Sequence, residues 1–223
     1  MSTRTTRLML AAGALVAGFA GSANADVIAT LTYDDLAGSF NRDGNGGLFV
    51  ARAVSLPGVL QTSGATSRIV PVQGNADFVP GFVAGADPAD CVININTLIT
   101  GPGTASGIGN FVATDIDGDT VTGNLSGEWT SAGGGILFFN GALTNVQLNG
   151  QVFNGNSGSW DMDLPGDPPY EGAIVQLTFS GSGFFDQNFE NRATGSTLQI
   201  VPAPGALALL GLGGLVAARR RAR

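Results

Sequence analysis

Between residues 26 and 200 the chain contains no lysine and only three glutamates, Glu128, Glu171 and Glu190. Those two residue types normally fill the exposed faces of helices, so a helical body is hard to build from this stretch. Thr, Val, Ile and Phe take their place, in short runs broken by Gly, Asn, Asp and Pro, which is the pattern of half-buried strands. Alternation puts Val27, Ala29, Leu31 and Tyr33 on one face, and Ile93, Ile95 and Ile99 on another. Val121, Gly123, Leu125, Gly127 and Trp129 form a third row; Trp160, Met162 and Leu164 a fourth; Ala173, Val175, Leu177 and Phe179 a fifth. Period two is what an antiparallel strand with one wet face requires.

Turn chemistry punctuates these runs. Asn140-Gly141 lies between Phe138-Phe139 and Ala142-Leu143 and predicts a tight hairpin, because both central residues of such a turn need positive φ. Asn149-Gly150 and Asn154-Gly155 repeat the signal, and Ser180-Gly181-Ser182-Gly183 separates two apolar runs. Pro71–Pro88, with two Pro at its ends and three Gly between, reads as a long loop or an edge. Residues 26–200 are thus expected to form one all-β domain of roughly ten to thirteen strands, an antiparallel β-sandwich with jelly-roll-like or Greek-key connections. A parallel β-helix is the competitor, but no fixed-period repeat supports it.

Both ends differ from this body. Arg4 and Arg7 precede the apolar run Leu8–Ala20, and Ala23-Asn24-Ala25 is a small-x-small cleavage site before Asp26. Residues 1–25 therefore read as a signal peptide with an N-terminal helix, cut by signal peptidase after Ala25. At the other end Val201-Pro202-Ala203-Pro204-Gly205 leads into Ala206–Ala218, built only of Ala, Leu, Val and Gly, and then Arg219-Arg220-Arg221-Ala222-Arg223. The prolines close the last strand. From Val201 to Ala218 a helix would reach about 27 Å, against a hydrocarbon core of about 30 Å. The arginines hold that end in the cytoplasm and leave the body outside, the same topology the N-terminus gives.

A Val-Pro-x-Pro-Gly motif, an apolar run and a terminal Arg cluster together resemble the PEP-CTERM sorting signal, with Ala203 where the family name has Glu. The resemblance covers only residues 201–223. It implies an exported protein held in the membrane through its C-terminal helix and processed near Val201, Pro202 and Pro204 by an exosortase-like enzyme. Arg219, Arg220 and Arg221 are the stop that marks the tail. It further implies a bacterium that makes exopolysaccharide, and a place at the cell surface or in the extracellular matrix. A plain C-terminal anchor without processing has the same topology.

Charge excludes several activities. All ten basic residues are arginine and there is no histidine, which removes Ser-His-Asp and Cys-His catalysis and His-ligated zinc. Residues 26–200 hold four arginines against all seventeen acids, a net charge of −13, so a nucleic-acid backbone would be repelled. The densest acidic group, Asp115-Ile116-Asp117-Gly118-Asp119, has two readings. It resembles the opening of a calcium loop, with Asp115, Asp117 and Asp119 as ligands for Ca²⁺, and it is equally a hairpin turn. Asn41-Arg42-Asp43-Gly44-Asn45-Gly46 carries the same two readings.

Glycoside hydrolysis needs two carboxylates facing one sugar; the three glutamates are isolated in sequence, and Asp161 and Asp163 fit an exposed strand face. No catalytic residue is assigned. Trp129 and Trp160 lie in apolar rows, which fits core packing better than sugar stacking, and the single Cys91 reads as buried. The sequence therefore leads to an exported, non-catalytic surface or matrix protein associated with exopolysaccharide. A calcium-stabilised carbohydrate-binding module is one alternative and a secreted glycoside hydrolase another.

Overall fold

The structure, a computed structural model, describes residues 26–82, 90–180 and 183–203. The expected terminal helices, the cleavage site at Ala23 and Ala25, Pro204 and the Arg219–Arg221 cluster lie outside the described residues. Among those described, every regular element is a strand. The first six are β1 (Ala29–Asp43), β2 (Gly46–Arg52), β3 (Ser55–Leu56), β4 (Leu60–Gln61), β5 (Ser63–Arg68) and β6 (Asn75–Phe78). Four long strands follow: β7 (Asp90–Gly101), β8 (Thr104–Thr114), β9 (Thr120–Ser131) and β10 (Ile136–Asn149). Two short ones, β11 (Val152–Asn154) and β12 (Ser159–Asp161), precede β13 (Tyr170–Ser180) and β14 (Phe189–Val201).

All pairings are antiparallel, as the alternation requires. The ring order is β1-β2-β7-β8-β9-β10-β13-β14, and β14 pairs back onto β1. Neighbours in the ring follow one another in sequence, so the jelly-roll or Greek-key connections expected from the sequence are replaced by a meander whose first and last strands meet. Closure leaves the ring no open edge. Following the register from Ala29 through Ile200, Gly172, Leu143, Leu125, Gly109, Ile95 and Phe49 returns to Phe40, 11 residues along the same strand. At ~3.3 Å per residue against eight spacings of ~4.8 Å, that stagger gives a strand tilt of about 43°.

Side chains fill the interior. Phe49 stacks on Phe179 with centroids 5.1 Å apart, and Trp129 meets Phe49, Phe139, Phe179 and Phe185 at 4.9–5.7 Å. Opposite walls thus pack across one aromatic core, as the two sheets of a sandwich do. Gly47, Thr97, Gly107, Gly127 and Gly141 lie in one row across five strands. A Cβ on Gly107 would come within 2.7–2.8 Å of Ile95 and Phe139, and one on Gly127 would lie 2.2 Å from the Asn140 carbonyl oxygen. This row lets the backbones approach and leaves room for the Trp129 ring. Gly127→Ala should therefore cost about 1–3 kcal/mol, a drop of roughly 2–10 °C in Tm. The exposed Ser126→Ala beside it should move Tm by no more than about 2 °C; thermal melts of the two variants check this.

Asn140-Gly141 is not a turn. It sits inside β10 because Gly141 is the residue that fits against Gly127 and the Ser126 carbonyl oxygen. The chain reverses instead at Ala132–Gly135, where Gly133, Gly134 and Gly135 have φ of 83°, 62° and 81°. The row through Ala173 also breaks. A bulge between Ile174 and Gln176 changes the phase of β13, so Ile174 is buried in line with Leu177 and Phe179 while Ala173 is only half-buried.

β1 serves three neighbours. At Asp34 and Asp35, where Asp35 has φ 57°, the strand bulges; its first half pairs with β5 and its second half with β2. β6 lies outside β5 as an edge strand, within the stretch read from sequence as a loop or edge. The β11–β12 hairpin packs on it through a pair of backbone bonds between Asp77 and Ser157. These four strands cap one pole of the ring over Phe78, Phe82, Phe153 and Trp160. β1 begins and β14 ends at that same pole.

Candidate functional site

The capped pole gathers most of the residues that the sequence marks for attention. β14 ends at Val201, paired with Glu171 of β13. Pro202 has no N–H to extend that ladder, and the chain leaves the body here; Val201 therefore belongs to β14 and not to the C-terminal helix expected to start at it, and the apolar run Ala206–Ala218 amounts to about 20 Å as helix rather than about 27 Å. Beside Pro202 runs Pro165-Gly166-Asp167-Pro168-Pro169, whose Gly166 takes φ 98° and faces Pro202 closely enough that an added Cβ would touch it at 3.7 Å. Together with Asn145, Tyr170, Glu171 and Ala203, these residues line a cleft of about 550 Å³. Its walls are largely proline ring. The Tyr170 hydroxyl is turned inward and donates to the Leu164 carbonyl at 2.8 Å, with the Gly166 carbonyl at 3.2 Å. Burial raises the Tyr170 pKa, and the charges of Asp167 and Asp163 add to the rise, while Arg68 opposes it. Among the described residues the cleft is lined by two carboxylates, Asp167 and Glu171, beside the prolines, and by no cation.

The Asp115–Asp119 loop stands at the same pole, as the β8–β9 turn. Asp115 is fully buried, and its Oδ1 accepts the backbone N–H of Asp117 at 2.9 Å and of Asp119 at 2.8 Å. Its Oδ2 accepts the N–H of Asn154 at 2.8 Å. Asp117 accepts from the Asn154 side chain at 2.8 Å, and Asp119 lies against Gly150, accepting the Gln151 N–H at 3.3 Å. The three carboxylates therefore fasten one turn to β11 rather than converge on a shared point. Among the described residues, no group of three or more acidic or Cys side chains is placed to hold a metal ion. Asn41–Gly46 is the β1–β2 hairpin, with Gly44-Asn45 at its tip. The Arg42 guanidinium bonds the carbonyls of Gly44 and Asp186 there, and Asn45 donates to the Ile99 carbonyl.

The carboxylates weighed for glycoside hydrolysis are scattered. Glu128 points outward from mid-β9, Glu171 borders the cleft and Glu190 stands at the start of β14, all three exposed. Asp163 is ion-paired with Arg68, which also donates to the carbonyls of Asp161 and Asp163. Both tryptophans are buried, so neither offers a stacking platform; Trp160 Nε1 donates to Thr66 Oγ1 at 2.9 Å inside the cap. Cys91 is a fully buried free thiol, as expected.

Arg68 escaped the sequence reading. It is the last residue of β5, in phase with the buried Thr66, and is itself only 5% exposed. The signal was present: a lone arginine on the inward phase of a short strand must find acceptors, and here they hold the Asp161–Asp163 segment to the cap. No family model, curated protein or solved structure matches this chain.

Proposed function

We propose that the chain is an exported, non-catalytic surface or matrix protein, delivered outward by residues 1–25 and sorted through a PEP-CTERM-like tail at 201–223. We read its ring as a flattened two-walled β-sandwich with joined edges, a self-sufficient particle that associates with exopolysaccharide outside the cell. The observation that carries the reading is the place of the motif. Val201 is the last ladder residue, Pro202 ends the pairing, and Ala203 lies half-buried at the mouth of the cleft. Pro202 and Ala203 thus lie beyond the last ladder pair, so that cutting the chain after them leaves every strand intact, which supports the reading. The membrane run Ala206–Ala218 and the arginine stop supply anchoring and orientation. Scattered carboxylates favour this reading over a hydrolase, and the use of Asp115 as acceptor for three backbone N–H groups favours a fastened turn over a calcium loop.

Deletion of Pro204–Arg223 tests the proposal. The full chain should fractionate with the envelope and begin at Asp26, while the truncated chain, equally cut at its N-terminus, should leave as a soluble product with an unchanged Tm. Intact, uncut protein in the cytosol from both genes would refute it.

A further inference from the structure

The pole that releases the tail also carries the most exposed apolar loop of the described chain. Ile69, Val70 and Val72 are 40%, 41% and 84% exposed, with Pro71 between them. Its position is fixed by hydrogen bonds. The N–H groups of Ile69 and Val70 both donate to the Ile28 carbonyl, at 2.8 and 3.3 Å, and the Ile28 N–H donates to the Ile200 carbonyl at 2.9 Å. Ala29 pairs with Arg68 on one side and with Ile200 on the other. The loop and the departing tail thus rise from the same rung, two strand spacings or about 10 Å apart. Gln73 braces the loop from behind, its side-chain oxygen accepting the Asp161 N–H at 3.0 Å.

The tail sets what this pole faces. From Ala203 to Ala206, where the apolar run begins, the chain spans three residues and reaches at most about 10 Å. If residues 206–218 lie in a bilayer, as the proposed function holds and as this inference requires, the pole is tethered within that distance of the headgroups. We infer that the pole docks on the lipid surface itself, with Ile69-Val70-Pro71-Val72 inserted beside the tail as a second apolar contact. Charge narrows the lipid. Asp26, Asp161, Asp163, Asp167 and Glu171 lie at the same pole and are exposed, and Arg68 is spent on Asp163. The contact is therefore apolar, made to a zwitterionic surface, and receives no help from anionic headgroups. Docked in this way, the ring stands upright with its opposite pole, the turns at Gly44-Asn45, Pro102-Gly103 and Ala132–Gly135, turned away from the membrane.

The test uses the chain from Asp26 to Arg223, its tail uncut, in phosphatidylcholine vesicles. Val72→Cys places a polarity-sensitive label at the tip and Ala132→Cys an equivalent label at the far pole; Cys91, fully buried, does not compete for it. Both positions are exposed, so neither change disturbs the core. The expected result is a blue-shifted label at 72 that an aqueous quencher reaches several-fold less well in vesicles than in the chain lacking 204–223, with the label at 132 equally quenched in both. Vesicle-bound protein whose label at 72 is quenched as fully as that at 132 overturns the inference and leaves the anchor standing. Failure to sediment with vesicles overturns the anchor and the inference together. Protection at 72 without lipid that grows with protein concentration identifies a second copy as the occupant and also overturns it.

Discussion

Asp115→Ala is expected to lose about 3–6 kcal/mol of folding stability, because three part-buried backbone N–H groups would be left without their acceptor at about 1–2 kcal/mol each. Asp117→Ala and Asp119→Ala should each lose less than about 1 kcal/mol, since each gives up one partly solvated bond. A domain of this size has only about 5–15 kcal/mol in hand, so the first variant sits near its folding threshold while the other two melt almost as the parent does. The asymmetry separates the two readings of the loop. A shared cation would make all three substitutions comparable and would make Tm fall on adding a chelator. Fastening by Asp115 alone makes Tm indifferent to calcium and chelator alike. Urea titrations of the three variants, with and without calcium, decide it: equal losses, or a calcium-dependent midpoint, would sink the structural role.

The same loop shows how much of the molecule was legible in its sequence. Alternation placed Leu31, Ile93, Ile95, Val121, Leu125 and Trp129 inward, and all six are buried. Local chemistry also located the turn at Asn154-Gly155 and the acidic turn at Asp115–Asp119. Closure was not legible, because the pairing of Ala29 with Ile200 joins residues far apart in sequence and leaves no local trace. Nor were the bulges at Asp34-Asp35 and between Ile174 and Gln176, which shift the phase of a row without changing its composition. Asn140-Gly141 misled for a physical reason: glycine serves both positive φ and close backbone approach, and a sequence does not say which. At the pole, the acids and the exit prolines were visible as residue types. Their roles depend on which groups saturate them, and those partners, Asn154 for Asp115 and Arg68 for Asp163, come from distant strands.

Alkaline pH should unfold the body steeply, and the sign follows from two buried acids. Burial raises the pKa of the Cys91 thiol, and the charge of Asp90 adds to the rise. Burial likewise pushes the Tyr33 hydroxyl well above its usual range, with Cys91, Asp90 and Asp115 contributing after it. In the unfolded chain the thiol ionises at about pH 9 and the phenol at about pH 10. Above those values the unfolded chain has released protons that the folded chain still holds, so stability is intact below them and falls by about 1.4 kcal/mol per pH unit for each group. Between pH 9 and 11 the loss sums to about 4 kcal/mol, a large share of the total. Cys91→Ala should flatten the fall between pH 9 and 10 and halve it above pH 10, where Tyr33→Phe removes the other half. Tyr33→Phe should in addition raise stability at neutral pH by about 1–3 kcal/mol, because the Tyr33 hydroxyl is buried with no hydrogen-bond partner among the described residues and its removal ends a desolvation cost. Urea midpoints measured from pH 7 to 11 for the parent and both variants check the slope. A flat profile in the parent would mean that water reaches these groups in the folded state, against the burial of Tyr33 and Cys91 in the core.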